Sequence, residues 1–282
     1  MLSYRRLAVI ASLVMAQLPL SSRSQINTEH STLNVVLLGD SNTWLGGDDC
    51  SKPKGWNTWF AHELQPASCH SYARSGATWT NTPQTRRNTT ENIGVLGNDN
   101  VIYNQICRLA EATDSGKQPL PHLIIILAGT NDAWFCDQRP QAFSTPYSPE
   151  GEALPADTST HRLSRLGSFE TLPPNKILTL QESVHYGCLL LQAYYPDTRI
   201  VLVTPPQTTA VETELIHRTG NIIEQVGSQL AIPVIRLDHE GCIDREQELQ
   251  HKRLTYDGTH TSEEGARCIG HLIATRIVTL NK

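Results

Sequence analysis

There is no excess of basic residues to work with: 23 Lys and Arg stand against 28 Asp and Glu, for a formal charge of −5. Composition therefore supplies no surface for gripping nucleic-acid phosphates or anionic lipid, and a neutral substrate is the easier fit. Nor is there an apolar run of the roughly 20 residues that a membrane-spanning helix needs. The seven cysteines (Cys50, Cys69, Cys107, Cys136, Cys188, Cys242 and Cys268) contain no C-x-x-C pair and no His/Cys cluster at zinc spacing, which argues against a metal framework. Internal repeats, low-complexity tracts and blocks of like charge are also missing, so solenoids and disordered tails are excluded.

What is present begins with a distinct N-terminus. Arg5-Arg6, the apolar run Leu7 to Leu20 and the small polar stretch Ser21-Ser22-Arg23-Ser24 follow the order of a secretory signal peptide, here residues 1–24 with cleavage after Ser24. Its removal takes away three arginines and no acid, leaving a still more acidic chain in the secreted or periplasmic space. An oxidising compartment permits disulfides, yet an odd cysteine count leaves one thiol free or pairing outside the chain. Cys107, Cys188 and Cys268 lie in apolar periodic segments and read as small buried hydrophobes.

Residues 25–282 read as one domain. Short β-branched runs recur at Asn34–Leu38, His70–Ala73, Leu123–Ala128, Arg199–Thr204 and Ile232–Leu237. Several are nearly continuous in Val, Ile and Leu, as parallel strands covered on both faces are. Helical patterns alternate with them. In 176–195 Ile177, Leu180, Val184, Cys188 and Leu191 fall at steps of three and four, and 98–112 and 211–230 repeat the signal more weakly. Thr261 followed by Glu264 forms a capping box before a last helix whose face is Ala266, Ile269, Ile273 and Ile277. Such alternation implies right-handed βαβ crossovers in an open α/β sandwich, with its site beyond the carboxyl ends of the strands. The stretch 133–175 has no period and is broken by prolines, so it reads as a long loop insertion walling or covering that site.

Four turns carry candidate chemistry. Val35 to Leu38 is a buried-strand pattern that ends abruptly in Gly39-Asp40-Ser41-Asn42, a tight turn able to present the Ser41 hydroxyl and its own N–H to one place. Gly-Asp-Ser-Asn is equally a common loop composition. The strand Leu123–Ala128 ends in Gly129-Thr130-Asn131-Asp132, where Asn131 can aim an amide donor at a carbonyl oxygen near Ser41, or can simply cap the chain. The strand His70–Ala73 runs into Ser75-Gly76-Ala77, where a glycine N–H can approach the same oxygen unobstructed. Asp257-Gly258-Thr259-His260 sets a carboxylate three residues from a histidine, close enough in a turn to fix its tautomer and stabilise its charged form.

In chain order the four blocks resemble those of the SGNH, or GDSL, hydrolase superfamily, over essentially the whole chain after the signal segment. The family's four named residues are matched by Ser41, Gly76, Asn131 and His260, and its acid by Asp257. The resemblance implies a flavodoxin-like three-layer α/β/α sandwich with a small parallel sheet, and hydrolysis of carboxylic esters through an acyl-enzyme. Ser41 would be the nucleophile, His260 the base oriented by Asp257, and the N–H groups of Ser41 and Gly76 with the Asn131 amide the oxyanion hole. Two positions depart from the family pattern: Asn42 replaces the leucine of the family's name, and Ala73 stands where many members carry asparagine.

No metal or organic cofactor is required by this chemistry. His62, His122, His185, His217, His239, His251 and His271 are dispersed, and Asp238-His239-Glu240 is the best remaining ligand cluster. Trp44 and Trp79, each just after a site turn, either form an aromatic platform for a sugar ring or acyl chain or merely pack the loops. Export, acidity and these tryptophans favour a glycan ester as substrate and deacetylation of a carbohydrate as the reaction. The alternatives are a short-chain lipid esterase or lipase, and a catalytically silent glycan-binding protein on the same scaffold. Neither a nucleic-acid partner nor a stable membrane span after signal cleavage is expected.

Overall fold

The structure, a computed structural model, describes residues 32–144 and 173–280. The expected signal peptide and 145–172 of the long insertion lie outside the described residues. Five strands form one parallel sheet: β1 (Asn34–Gly39), β2 (Ser68–Ser71), β3 (Leu123–Leu127), β4 (Arg199–Val203) and β5 (Val234–Ile235), in the order β2-β1-β3-β4-β5. This is the flavodoxin-like order, in which chain direction across the sheet reverses between β1 and β3 and opens a crevice at their carboxyl ends.

Successive strand residues point to opposite faces, and every residue of β3 is buried, so each face needs its own helical cover. Val36, Leu38, Ile124, Ile126, Ile200 and Leu202 pack on helices α3 (Ile102–Asp114), α5 (Leu180–Tyr194) and α6 (Thr213–Gln229) through Ile106, Leu109, Val184, Cys188, Ile223 and Val226. On the other face Val35, Leu37, Ile125, Leu127 and Val201 meet α2 (Trp56–Leu64) and α9 (Glu263–Thr279) through Trp56, Phe60, Ile269 and Ile273. The result is the expected three-layer α/β/α sandwich. Each fully buried aliphatic side chain contributes roughly 1.5–3 kcal/mol. Short helices α1 (Ser41–Trp44), α4 (Thr130–Trp134), α7 (Leu237–Glu240) and α8 (Arg245–Gln250) lie in the connections. Among the described residues no helix is long and apolar enough to cross a membrane.

The structure corrects several boundaries. The second strand is Ser68–Ser71, two residues earlier than expected, because beyond it Tyr72 N–H still reaches Leu37 O but the chain is already turning towards Gly76. The fifth strand shrinks to Val234–Ile235 because Arg236 turns into α7. The last helix is capped by Ser262, whose side chain accepts from Gly265 N–H, while the Thr261 hydroxyl donates instead to Lys54 O at 2.6 Å. The capping box is found on α5, between Thr179 and Glu182. Helix α2 was not legible, since its tryptophan-rich sequence has no clear stripe. Cys268 is not a free core residue but is disulfide-bonded to Cys242, whereas Cys188 is free and fully buried as expected and Cys107 is free and only partly so.

Candidate active site

The Gly39-Asp40-Ser41-Asn42 turn is built by close approach. A Cβ on Gly39 would lie 2.4 Å from Leu127 O and 2.6 Å from Thr43 Oγ1, so only glycine lets β1 end this near β3. Gln105, on α3, holds the Gly39 peptide from both sides: its Oε1 accepts from Gly39 N–H at 2.9 Å and its Nε2 donates to Gly39 O at 2.8 Å. Asp40 N–H donates to Leu127 O, and Asp40 Oδ1 caps α1 by accepting from Asn42 N–H at 3.1 Å. Ser41 is the first residue of α1, so its N–H has no intrahelical acceptor and remains available to a ligand. The residue is 6% exposed.

Asp40 itself is wholly buried. Burial pushes its carboxyl up to about 6, against the lowering effects of the Asn42 N–H, the neighbouring Thr130 hydroxyl and His260. Its second oxygen, Oδ2, makes no hydrogen bond of normal length, although the Thr130 hydroxyl stands beside it.

Helix α4 leaves β3 at Gly129 and places Asn131 and Asp132 against the loop that carries Gly76. Asn131 Nδ2 donates to Ala77 O at 2.9 Å with one of its protons, leaving the other for a ligand. The buried Asp132 carboxylate accepts from Trp79 N–H at 2.9 Å and from Thr80 N–H at 2.8 Å. From behind, the buried Arg139 guanidinium donates to Thr78 Oγ1 and Thr80 O. Gly76 has φ +77, and a Cβ there would meet Val95 Cγ1 at 2.6 Å. The left-handed conformation, with the backbone of Leu96 N and Val95 Cα only 3.1 and 3.2 Å from such a Cβ, therefore favours glycine at position 76.

The histidine sits on a turn closed by an antiparallel bridge between Thr255 and Thr261, with Tyr256 N–H donating to His260 O at 3.0 Å. Asp257 Oδ2 lies 2.6 Å from His260 Nδ1, while Oδ1 accepts from the His260 and Thr259 N–H groups at 2.7 and 2.9 Å. Partial burial disfavours the Asp257 charge, but these three donors outweigh it and hold the carboxyl below its ordinary range. With Nδ1–H facing a carboxylate, the neutral ring keeps its Nε2 lone pair for accepting a proton. Tyr256 stacks on the ring, centroids 5.7 Å apart. The His260 turn reaches the Ser41 turn through Asn42, whose Nδ2 donates to Thr259 O at 3.3 Å and whose Oδ1 accepts from Thr261 N–H at 3.1 Å.

Thus the turns bearing Ser41, Gly76, Asn131, Asp257 and His260 gather at one end of the sheet, where β1 and β3 pair up to Gly39 and Leu127. Of the two tryptophans expected to line it, Trp44 is 46% exposed. Trp79 is not available: it is 2% exposed, buried against Gly187 and Ile106 in the core, because Asp132 draws its backbone inward. Trp134 takes its place in the inventory, 40% exposed and three residues after Asn131 on α4, as Trp44 is three after Ser41 on α1. Sequence reading passed over Trp134, and also over the supporting polar residues Gln105, Asp132 and Arg139, whose partners are distant in the chain.

The Asp238-His239-Glu240 cluster is spoken for. Arg236 holds Asp238 through Nε at 2.8 Å and Nη2 at 2.6 Å, and Arg276 pairs with Glu240. His217, Asp238 and His239 do bring ligand atoms within 4.8 Å of one another, but a cation there would meet the Arg236 guanidinium.

Comparison with known proteins identifies the family and the fold. The model of the GDSL-like lipase/acylhydrolase family matches residues 37–268. Similar solved structures include a possible lipase from Chitinophaga pinensis, 18% identical with TM-score 0.52, covering 88% of this chain and 99% of its own. A candidate GDSL-like lipase from Bacteroides ovatus is 17% identical with TM-score 0.52 over the same shares. An acetyl xylan esterase is 15% identical with TM-score 0.50, also over 88% and 99%. No curated protein matches the chain in sequence.

Proposed function

Given that the chain belongs to the GDSL-like lipase/acylhydrolase family and is a hydrolytic esterase of the SGNH type, we propose that it is an exported deacetylase of carbohydrate esters that works through Ser41. Ser41 Oγ attacks the ester carbonyl as His260 Nε2 takes its proton, and Asp257 stabilises the imidazolium. The Ser41 and Gly76 N–H groups and the free Asn131 amide proton receive the oxyanion. His260 returns the proton to the leaving alcohol, and a water activated by the same ring then releases the acyl group.

The observation that carries the carbohydrate reading is the set of exposed aromatics beside the site. Trp44 and Trp134 are 46% and 40% exposed, and each lies three residues after a proposed site residue, Ser41 and Asn131 respectively. Exposed rings of this kind stack on the apolar faces of sugars, while the near-complete burial of Ser41 suits a small acyl group. The fold shared with an acetyl xylan esterase is in keeping with it. A lipid ester remains a second reading because Val95, packed over Gly76, is 63% exposed and apolar.

Acetate release from acetylated xylo-oligosaccharides, set beside p-nitrophenyl esters of rising chain length, separates the two. Preference for acetylated sugars, with steep loss beyond two-carbon acyl groups, is expected. Activity that rises with chain length would overturn the carbohydrate reading in favour of a lipid esterase.

A further inference from the structure

We propose that Asn42, the residue that replaces the family's eponymous leucine, is a positioning residue that holds the base turn in register with the nucleophile. The inference rests on the assignment of Ser41 and His260 above. Asn42 is 1% exposed and immediately follows Ser41. Its amide spans His260: Nδ2 donates to the carbonyl of Thr259 at 3.3 Å, and Oδ1 accepts from the N–H of Thr261 at 3.1 Å. The Thr261 hydroxyl lies 3.5 Å from the same Oδ1 and donates to Lys54 O at 2.6 Å. The two turns are more than 200 residues apart in sequence, and this bridge passes directly between the nucleophile's neighbour and both neighbours of the base. Leucine can make neither bond. Small displacements of a base from its nucleophile cost large factors in rate, so the bridge acts on kcat rather than on substrate affinity.

Asn42→Ala removes both bonds and leaves the Thr261 N–H buried without a partner. Asn42→Asp keeps the shape and the Oδ1 acceptor but sets a second oxygen against the Thr259 carbonyl in place of the donor, so it serves wherever the alanine variant fails to fold. Both should lower kcat on p-nitrophenyl acetate by about tenfold or more with KM nearly unchanged. Placed in a His260→Ala background, the same substitutions should change the residual rate less than about twofold, because coupled residues are not additive. A wild-type kcat, a loss confined to KM, or an undiminished effect in the His260→Ala background overturns the proposal. Ser41→Ala is measured alongside. If Ser41→Ala keeps full activity, the assignment of the site fails; if it is dead while the Asn42 variants match wild type, only the positioning role does.

A separate observation supports a second inference, that Cys50 and Cys69 are a disulfide-forming pair. Their Sγ atoms lie 3.2 Å apart, joining the loop that follows α1 to edge strand β2, where Ser71 N–H also donates to Asp48 O. Exchange with an oxidised disulfide would form the Cys50–Cys69 bond and release two reduced thiols of the reagent. After incubation with oxidised glutathione, a non-reducing peptide map should show the Cys50 and Cys69 peptides linked. Both thiols remaining open to alkylation while Cys242–Cys268 stays bonded would contradict it.

Discussion

At the scale of single residues the site is a set of backbone positions fixed by side chains from elsewhere. Gln105 fixes Gly39, Asp132 and Arg139 fix the loop after Gly76, and Asn42 spans His260. On the proposed oxyanion role of its free amide proton, Asn131→Ala should reduce kcat by about 10²–10³ with little effect on KM, measured by steady-state kinetics. Asp40 supplies a test in pH. Its folded carboxyl stands at about 6 against an ordinary 3.8, so as pH rises from 4 through 6 the unfolded chain ionises first and the native state loses stability. Asp40→Asn abolishes that loss. Its stability relative to wild type should therefore climb by about 2 kcal/mol between pH 4.5 and 7.5 and then level off, as read from urea unfolding at those two values. A difference that does not vary with pH would contradict a buried Asp40 whose carboxyl is raised to about 6.

At the scale of elements, the turn carrying Asp257 and His260 depends on α8. Glu248 is 2% exposed and accepts from the N–H groups of Arg253, Leu254 and Thr255 and from the Thr255 hydroxyl, just ahead of Asp257. Glu248→Ala strands these buried donors and should cost about 2–4 kcal/mol of stability in chemical denaturation. The Cys242–Cys268 bond ties the segment after α7 to α9 across 26 residues. Replacing both cysteines by serine should cost about 3 kcal/mol, seen as a lowered Tm. Neither support could be read from sequence. A glutamate in a polar stretch looks solvated, and an odd set of seven cysteines names no pairs. The strands were legible because their Val, Ile and Leu runs are local signals. Helix α2 was not, because its tryptophans serve packing against α9 rather than a regular stripe.

At the scale of the whole molecule, the βα alternation announced the layered sheet, and the sheet then dictated where chemistry could sit. The order β2-β1-β3-β4-β5 puts the ends of β1 and β3 side by side, which is why turns 90 residues apart were readable as partners. Trp79 marks the limit of that reading. Its place just after Gly76 suggested a surface ring, yet backbone bonds to Asp132 turn it into the core, and such long-range contacts leave no local trace. Trp134 was overlooked for the converse reason, since nothing in its own segment marks it as exposed.

The central claim is that Ser41 is a nucleophile activated by His260. The most direct measurement is labelling with a fluorophosphonate followed by peptide mapping by mass spectrometry. The adduct should sit on Ser41 and nowhere else, and His260→Ala should slow its formation by several orders of magnitude while leaving the fold intact. A protein that hydrolyses esters yet carries the adduct on another residue, or one labelled equally fast without His260, would contradict it.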